Sequence, residues 1–125
     1  MGITVGEHSA GHLRRILRLF LERWGLAELT DPAELALTEL VANVVRHVPG
    51  RHCTTLILKQ PEGLRVEVTD GSPHPVRPVR DPDPLAEGGR GLLLVEAVTD
   101  RWGVWDQPDG KVVWFECDAK TGAAT

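Results

Sequence analysis

Long apolar runs are missing from this chain. None approaches the roughly 18 residues that a membrane-spanning helix needs. The opening residues, Met1-Gly2-Ile3-Thr4-Val5-Gly6-Glu7, lack the basic and apolar regions of a secretory signal, so a cytoplasmic location without membrane attachment is expected. Cysteine is scarce as well. Cys53 and Cys117 show no metal-type spacing and read as two core thiols at strand ends in a reducing compartment, with nothing to support a disulfide between them. Excess positive charge is also absent. A net charge of -4 leaves no electrostatic footprint for direct nucleic-acid binding. The basic residues are mostly scattered arginines, which argues against a polybasic membrane anchor. The chain shows no internal repeat and no low-complexity tract.

What is present is enough for one folded domain over residues 1–125. A chain of 125 residues with a hydrophobic fraction of 42% can bury a real core but not two. Ile3 to Val5 reads as a short strand. Ser9 can cap a helix over Ala10 to Trp24, with Leu13, Ile16, Leu17, Phe20, Leu21 and Trp24 at helical spacing and Gly25 ending it. Asp31-Pro32-Ala33-Glu34 is a strong helix start, with Asp31 as the cap and Pro32 at the first helical position. That second helix is expected to stop near Pro49-Gly50.

The period then changes. Thr54 to Lys59 and Leu64 to Thr69 alternate as strands across a turn at Pro61-Glu62-Gly63. From Asp70 to Arg90 the chain is rich in Pro, Gly, Asp and Arg and reads as a long mobile loop, a length that usually serves function. Gly91 to Val98 reads as a third helix. Arg101 to Asp106 and Val112 to Cys117 read as a last hairpin across Pro108-Asp109-Gly110, with a frayed tail from Asp118 to Thr125. Helices followed by strands, with one helix between two hairpins, predict an α+β two-layer sandwich.

The second helix carries an anomaly. At about 100° per residue, Glu39, Asn43, Arg46 and His47 fall on one narrow face, while Leu37, Leu40, Val41, Val44 and Val48 cover the other side. A polar stripe against a core-facing helix is costly unless something polar sits on it. Two further segments follow it in the chain. Val66-Glu67-Val68-Thr69-Asp70-Gly71-Ser72 ends a buried-looking strand on a carboxylate followed by glycine. Glu87-Gly88-Gly89-Arg90-Gly91-Leu92 is a glycine-rich stretch opening a helix. It is not a P-loop and lacks the dinucleotide Gly-x-Gly-x-x-Gly spacing.

In this order the three segments resemble the ATP-binding boxes of the GHKL superfamily, which includes histidine kinases, gyrase-type ATPases and anti-sigma factor serine kinases. The short length, the Arg-Arg-Ile-Leu helix and Trp24-Gly25-Leu26 resemble the anti-sigma factor kinase branch. The resemblance implies the Bergerat fold, a helical layer on a mixed sheet. It implies Asn43 as the Mg²⁺ ligand and Glu39 as a general base orienting an attacking hydroxyl. Asn43 suits a hard cation whose shell is otherwise water and phosphate, and a carboxylate near the γ-phosphate suits the second role. Arg46 and His47 could touch phosphate oxygens, although cations at a helix end also have a purely local explanation. Asp70 would accept from the adenine amino group, with Gly71 letting the backbone approach the base. An ordinary Asp-Gly turn is the competing explanation. Gly89, Arg90 and Gly91, in the stretch ending at Leu92, would turn N–H groups toward phosphate. One departure stands out: Ser72 then Pro73 replace a glycine common two residues after the Asp in this superfamily.

The implied activity is ATP-dependent transfer of phosphate to a serine of an anti-anti-sigma partner, with a sigma factor sequestered when that antagonist is not engaged. Homodimers are common in the branch, and the Ile3 to Val5 strand could join such a pairing. Two alternatives remain. One is a non-catalytic binding module on the same fold. The other is a bare histidine kinase catalytic domain, for which no segment has the length of a phosphoacceptor helix pair. His8, His12, His52 and His74 show no ligand spacing and read as surface residues. Trp102 and Trp114 read as sheet or core aromatics, and Trp105 as a candidate for a partner surface.

Overall fold

The computed structural model describes residues 2–4, 9–47, 52–70, 87–108 and 110–119. Five strands and three helices follow the order β1 (Gly2–Thr4), α1 (Ser9–Arg23), α2 (Thr30–His47), β2 (His52–Gln60), β3 (Gly63–Asp70), α3 (Glu87–Val98), β4 (Arg101–Gln107) and β5 (Gly110–Asp118). The strands form one sheet in the order β1-β2-β3-β5-β4. The helices pack on one face of it, which is the expected two-layer α+β arrangement.

The sheet corrects one expectation. It is not mixed: every pairing among the described strands is antiparallel. The reason lies in the last hairpin. The crossover through α3 brings β4 back in the direction of β3, but β5 returns through a tight turn and inserts between them. Two strands of the same sense are therefore separated by one of the opposite sense.

Strand alternation sets the layers. Leu64, Val66, Val68 and Asp70 of β3 are buried beneath the helices, as are Val113, Phe115 and Cys117 of β5. Leu13, Leu17 and Leu21 of α1 and Leu37, Leu40, Val41 and Val44 of α2 complete the core, each helix presenting one stripe. Val48 lies outside the described residues.

The α1 helix ends at a Schellman motif. Gly25 adopts φ +72°, Leu26 N–H donates to the Leu21 carbonyl at 2.8 Å and Gly25 N–H to the Glu22 carbonyl at 3.2 Å. A single 3₁₀ turn, Ala27–Leu29, then leads directly into α2. α2 begins at Thr30, two residues before the expected Pro32, so Asp31 lies in its first turn rather than capping it. Asp31 there still suits the helix dipole. Across the two helices, Arg14 Nη1 donates to Thr38 Oγ1 at 3.0 Å and Arg18 Nε to Glu34 Oε1 at 3.1 Å.

Asp118 is the last residue of β5 rather than the start of a frayed tail. Its N–H donates to Asp100 at 2.6 Å, and Ala119 N–H donates to the Glu62 carbonyl at 2.7 Å. Residues 120–125 lie outside the described set. Cys53 aligns with Asp70 at one end of β3, and Cys117 with Leu64 at the other. Six residues of strand between them correspond to about 20 Å, so no disulfide joins them and both thiols are free.

The outer face of the sheet carries an aromatic and ionic cluster. The Arg65 guanidinium lies 4.2 Å from the Trp114 ring centre and 5.1 Å from that of Trp105. It also donates to Glu67 at 2.8 Å and to Glu116 at 2.9 Å. Trp105 is 51% exposed, whereas Trp102 packs against the core from the inner face. No helix among the described residues is long and apolar enough to cross a membrane.

Candidate functional site

Topology brings three chain ends to one edge of the layered structure. The α2 helix starts beside the end of α3 and the end of β5, where Leu29, Pro32, Val98, Asp100 and Cys117 share a cavity of about 430 Å³. Both helices run away from that edge, α2 forward and α3 backward along the chain. The C-terminal turn of α2, with Asn43, Arg46 and His47, is thereby carried toward the opposite edge. Five residues beyond His47 the chain enters β2 at His52, and the Cys53 of that strand aligns with Asp70. The N-terminal turn of α3 also points to this edge, because its C-terminus leads through Thr99 and Asp100 into Arg101, the far end of the sheet.

On α2, Glu39 and Asn43 are half-buried and Arg46 is exposed. Arg46 Nη2 donates to Asn43 Oδ1 at 3.0 Å, the i to i+3 spacing that lets neighbouring helix turns meet. That contact orients the amide oxygen toward the end of the helix. An amide oxygen has two lone pairs, so one bond from Arg46 does not exhaust it. His47 closes α2, and its side chain lies outside what is described.

Asp70 belongs to β3 itself rather than to the following loop. Strand parity turns its side chain to the helix-facing side, in line with Val66 and Val68. There it meets Lys111, its register partner on β5, with Nζ 3.3 Å from Oδ1 and side-chain exposures of only 4% for Lys111 and 3% for Asp70. Reasoning along the sequence missed Lys111. The signal was available, since Lys111 shares the parity of Val113, Phe115 and Cys117, and a lysine at the first inward position of a core strand requires an anion.

Gly71 lies outside the described residues, with the rest of 71–86 and with 48–51. The helix α3 begins at Glu87, one turn earlier than the expected Gly91. Gly88 and Gly89 therefore sit in the turn whose N–H groups have no partner within a helix. Arg90 stands at its margin and Gly91 a full turn inside. The cause is that helix packing outweighs the unfavourable propensity of the glycines: Leu92 and Val95 of α3 are buried. What the structure joins directly are two pairs, Asn43 with Arg46 and Asp70 with Lys111. Apart from that far-edge cavity, one of about 350 Å³ lies by Gln60, Arg101 and Asp118, and one of about 370 Å³ between α1 and β2. None of these contains Glu39, Asn43 or Asp70.

Residues 6–117 match the family model of the histidine kinase-like ATPase domain. The chain belongs to that family. An uncharacterized protein of Streptomyces coelicolor is 38% identical over 85 residues, covering 64% of this chain and 79% of that protein. Membership implies ATP binding, and it gives the polar edge formed by α2, β3 and α3 a ligand class to be tested. Among the described residues no group of three or more His, Cys, Asp and Glu side chains is arranged for a metal ion. Asn43 could offer one amide oxygen to a hard cation such as Mg²⁺, whose shell is otherwise phosphate and water.

Proposed function

We propose that this protein is a cytoplasmic regulator that binds Mg-ATP and phosphorylates a serine on an anti-anti-sigma partner, holding a sigma factor when that antagonist is not engaged. The observation that carries the reading is the arrival at one edge of the α2 polar stripe, the Asp70 end of β3 and the glycine-rich start of α3. Bound Mg²⁺ would neutralise phosphate charge and orient the transferred group. Asn43 would hold it, with Arg46 and His47 near the phosphate chain. Glu39, one turn back on the same face, would accept the proton of the partner's serine hydroxyl. Gly88 and Gly89 would offer backbone N–H groups to phosphate oxygens. Phosphate added to the serine would disrupt the partner's docking through charge.

A second reading is favoured by the two bonded pairs. Asn43 already serves Arg46 and Asp70 already serves Lys111, as in a domain that holds nucleotide, or none, and acts through protein contacts alone. Calorimetric titration with ATP, with and without Mg²⁺, tests nucleotide binding. Magnesium-dependent affinity lost in Asn43→Ala supports the proposed site. Transfer of labelled phosphate to a serine-bearing partner, absent in Glu39→Ala, supports the kinase. Binding without transfer in the unaltered protein would leave only the second reading.

A further inference from the structure

The cavity of about 370 Å³ between α1 and β2 belongs to no part of the nucleotide edge. Leu13, Ile16 and Phe20 of α1 form one wall, and Thr55, Leu56 and Ile57 of β2 form the other. Phe20 is braced by Trp24, whose ring stacks on it with centres 5.2 Å apart. On the same two elements, Leu19 is 66% exposed, Leu56 43% and Leu58 36%. Single exposed apolar side chains are ordinary, but several around one cavity mark a binding surface. The backbone beside it is open as well. β1 covers β2 only as far as Thr54, and among the described residues no strand pairs with that side of 56–60. Such an edge offers N–H and C=O groups to an added strand.

We propose that this groove takes an extended segment of a partner protein, apolar in its middle and acidic at its ends, added to β2 as a further strand. The groove shares no residue with the nucleotide edge, so the assignment stands apart from the ATP reading. An added strand sends alternate side chains to the two sides of the sheet. One set would enter the cavity and the other would lie beside Leu56 and Leu58, so both are apolar. The acidic ends follow from charge. Arg15, Arg23 and Lys59 are exposed and form no ion pair among the described residues. Arg15 precedes Ile16 on α1, Arg23 stands one turn beyond Phe20, and Lys59 shares the helix-facing parity of Ile57. The dipole accounts for an arginine at a helix end, but not for Lys59. A lysine on an edge strand discourages indiscriminate pairing, and an acidic residue opposite it makes the pairing favourable. A second copy of this chain fits poorly: antiparallel pairing about Ile57 would set Lys59 against Thr55 and bring the arginines of two α1 helices toward each other.

The test titrates the full chain by calorimetry with a synthetic octapeptide, Asp-Glu-Val-Ile-Val-Ile-Glu-Asp, blocked at both ends. It should bind saturably, and a version with lysine at the four acidic positions should bind at least about tenfold more weakly. N-methylation of the internal amides, which removes the backbone donors, should abolish binding. Arg23→Glu/Lys59→Glu, both at exposed positions, should reverse the preference between the two peptides. No saturation by the acidic peptide at millimolar concentration would overturn the assignment. Equal affinity for the two peptides, full binding after N-methylation or an unchanged preference in the double variant would do the same. Binding to phosphatidylglycerol vesicles that is lost in the double variant would give the groove to a membrane surface instead. A dimer in sedimentation that Leu56→Lys dissolves would give it to a second copy.

Discussion

The Asp70–Lys111 pair makes a sharp prediction about folding, independent of any ligand. Both side chains are almost fully enclosed and their charged atoms are 3.3 Å apart. At an effective dielectric of about 20, two unit charges at that separation attract by about 5 kcal/mol, and the desolvation of both ions offsets most of it. The net value of the pair is therefore small, while the cost of removing one member is large. Lys111→Met removes the positive charge 3.3 Å from Asp70, and Asp70→Asn removes the negative charge facing Lys111. Each should cost about 3–5 kcal/mol. With a urea dependence of about 1.5–2 kcal/mol per molar, the unfolding midpoint should fall by about 2 M in either variant. The double variant Asp70→Asn/Lys111→Met should lie within about 1 kcal/mol of the parent, giving a coupling energy of at least about 5 kcal/mol. Urea titrations followed by tryptophan fluorescence measure all four proteins. Additive single effects, or single effects below about 1 kcal/mol, would refute the argument that these two groups depend on each other for burial.

Three further outcomes are expected. Gly63→Ala should be severely destabilising, by more than about 3 kcal/mol. An added Cβ would overlap the Cys117 carbonyl oxygen and come within 2.9 Å of Asp118 Cα, both backbone atoms that cannot rotate away. Thermal unfolding within 1 or 2 °C of the parent would contradict it. The Glu116 carboxyl is held below its usual range, first by the hydrogen bond from Arg101 and then, against the opposing effect of burial, by Arg65. A depressed carboxyl contributes stability that is present above its unfolded pKa of about 4.3 and is lost as pH falls through its folded value. Glu116→Gln should therefore flatten the acid side of the stability profile below about pH 4–5; an unchanged slope there would remove Glu116 as a source. Burial, with Asp100 and Asp118 adding to it, pushes the Cys117 thiol up to about 12, and burial likewise raises Cys53. Neither thiol should react with a disulfide reagent at pH 8 until the chain is unfolded, and rapid labelling of the folded protein would show the burial to be wrong.

The helices were legible because their information is local. The stripe of Leu13, Leu17 and Leu21, and that of Leu37, Leu40, Val41 and Val44, repeats at the helical period, and both stripes are buried. Gly25 could be recognised as a terminator because a left-handed residue after a helix is almost always glycine or asparagine. Boundaries moved where tertiary packing outweighed local preference. The glycines before Leu92 read as a loop, yet Leu92 and Val95 anchor the helix from the far side. Asp70 read as the first residue of a loop, yet the ladder to Lys111 extends the strand through it.

Periodicity, caps and turns by themselves determined the elements of this protein, their order and the two-layer class, because each depends on neighbours within a turn or two of chain. They also determined that Glu39 and Asn43 share one face of α2. Sheet order and strand sense were settled only in three dimensions, since nothing within the last hairpin reveals that β5 will insert between β3 and β4. The meeting of Asp70 and Lys111 was settled there too. They are forty-one residues apart in the chain and become partners through strand register, a property of how two segments align and not of either segment alone.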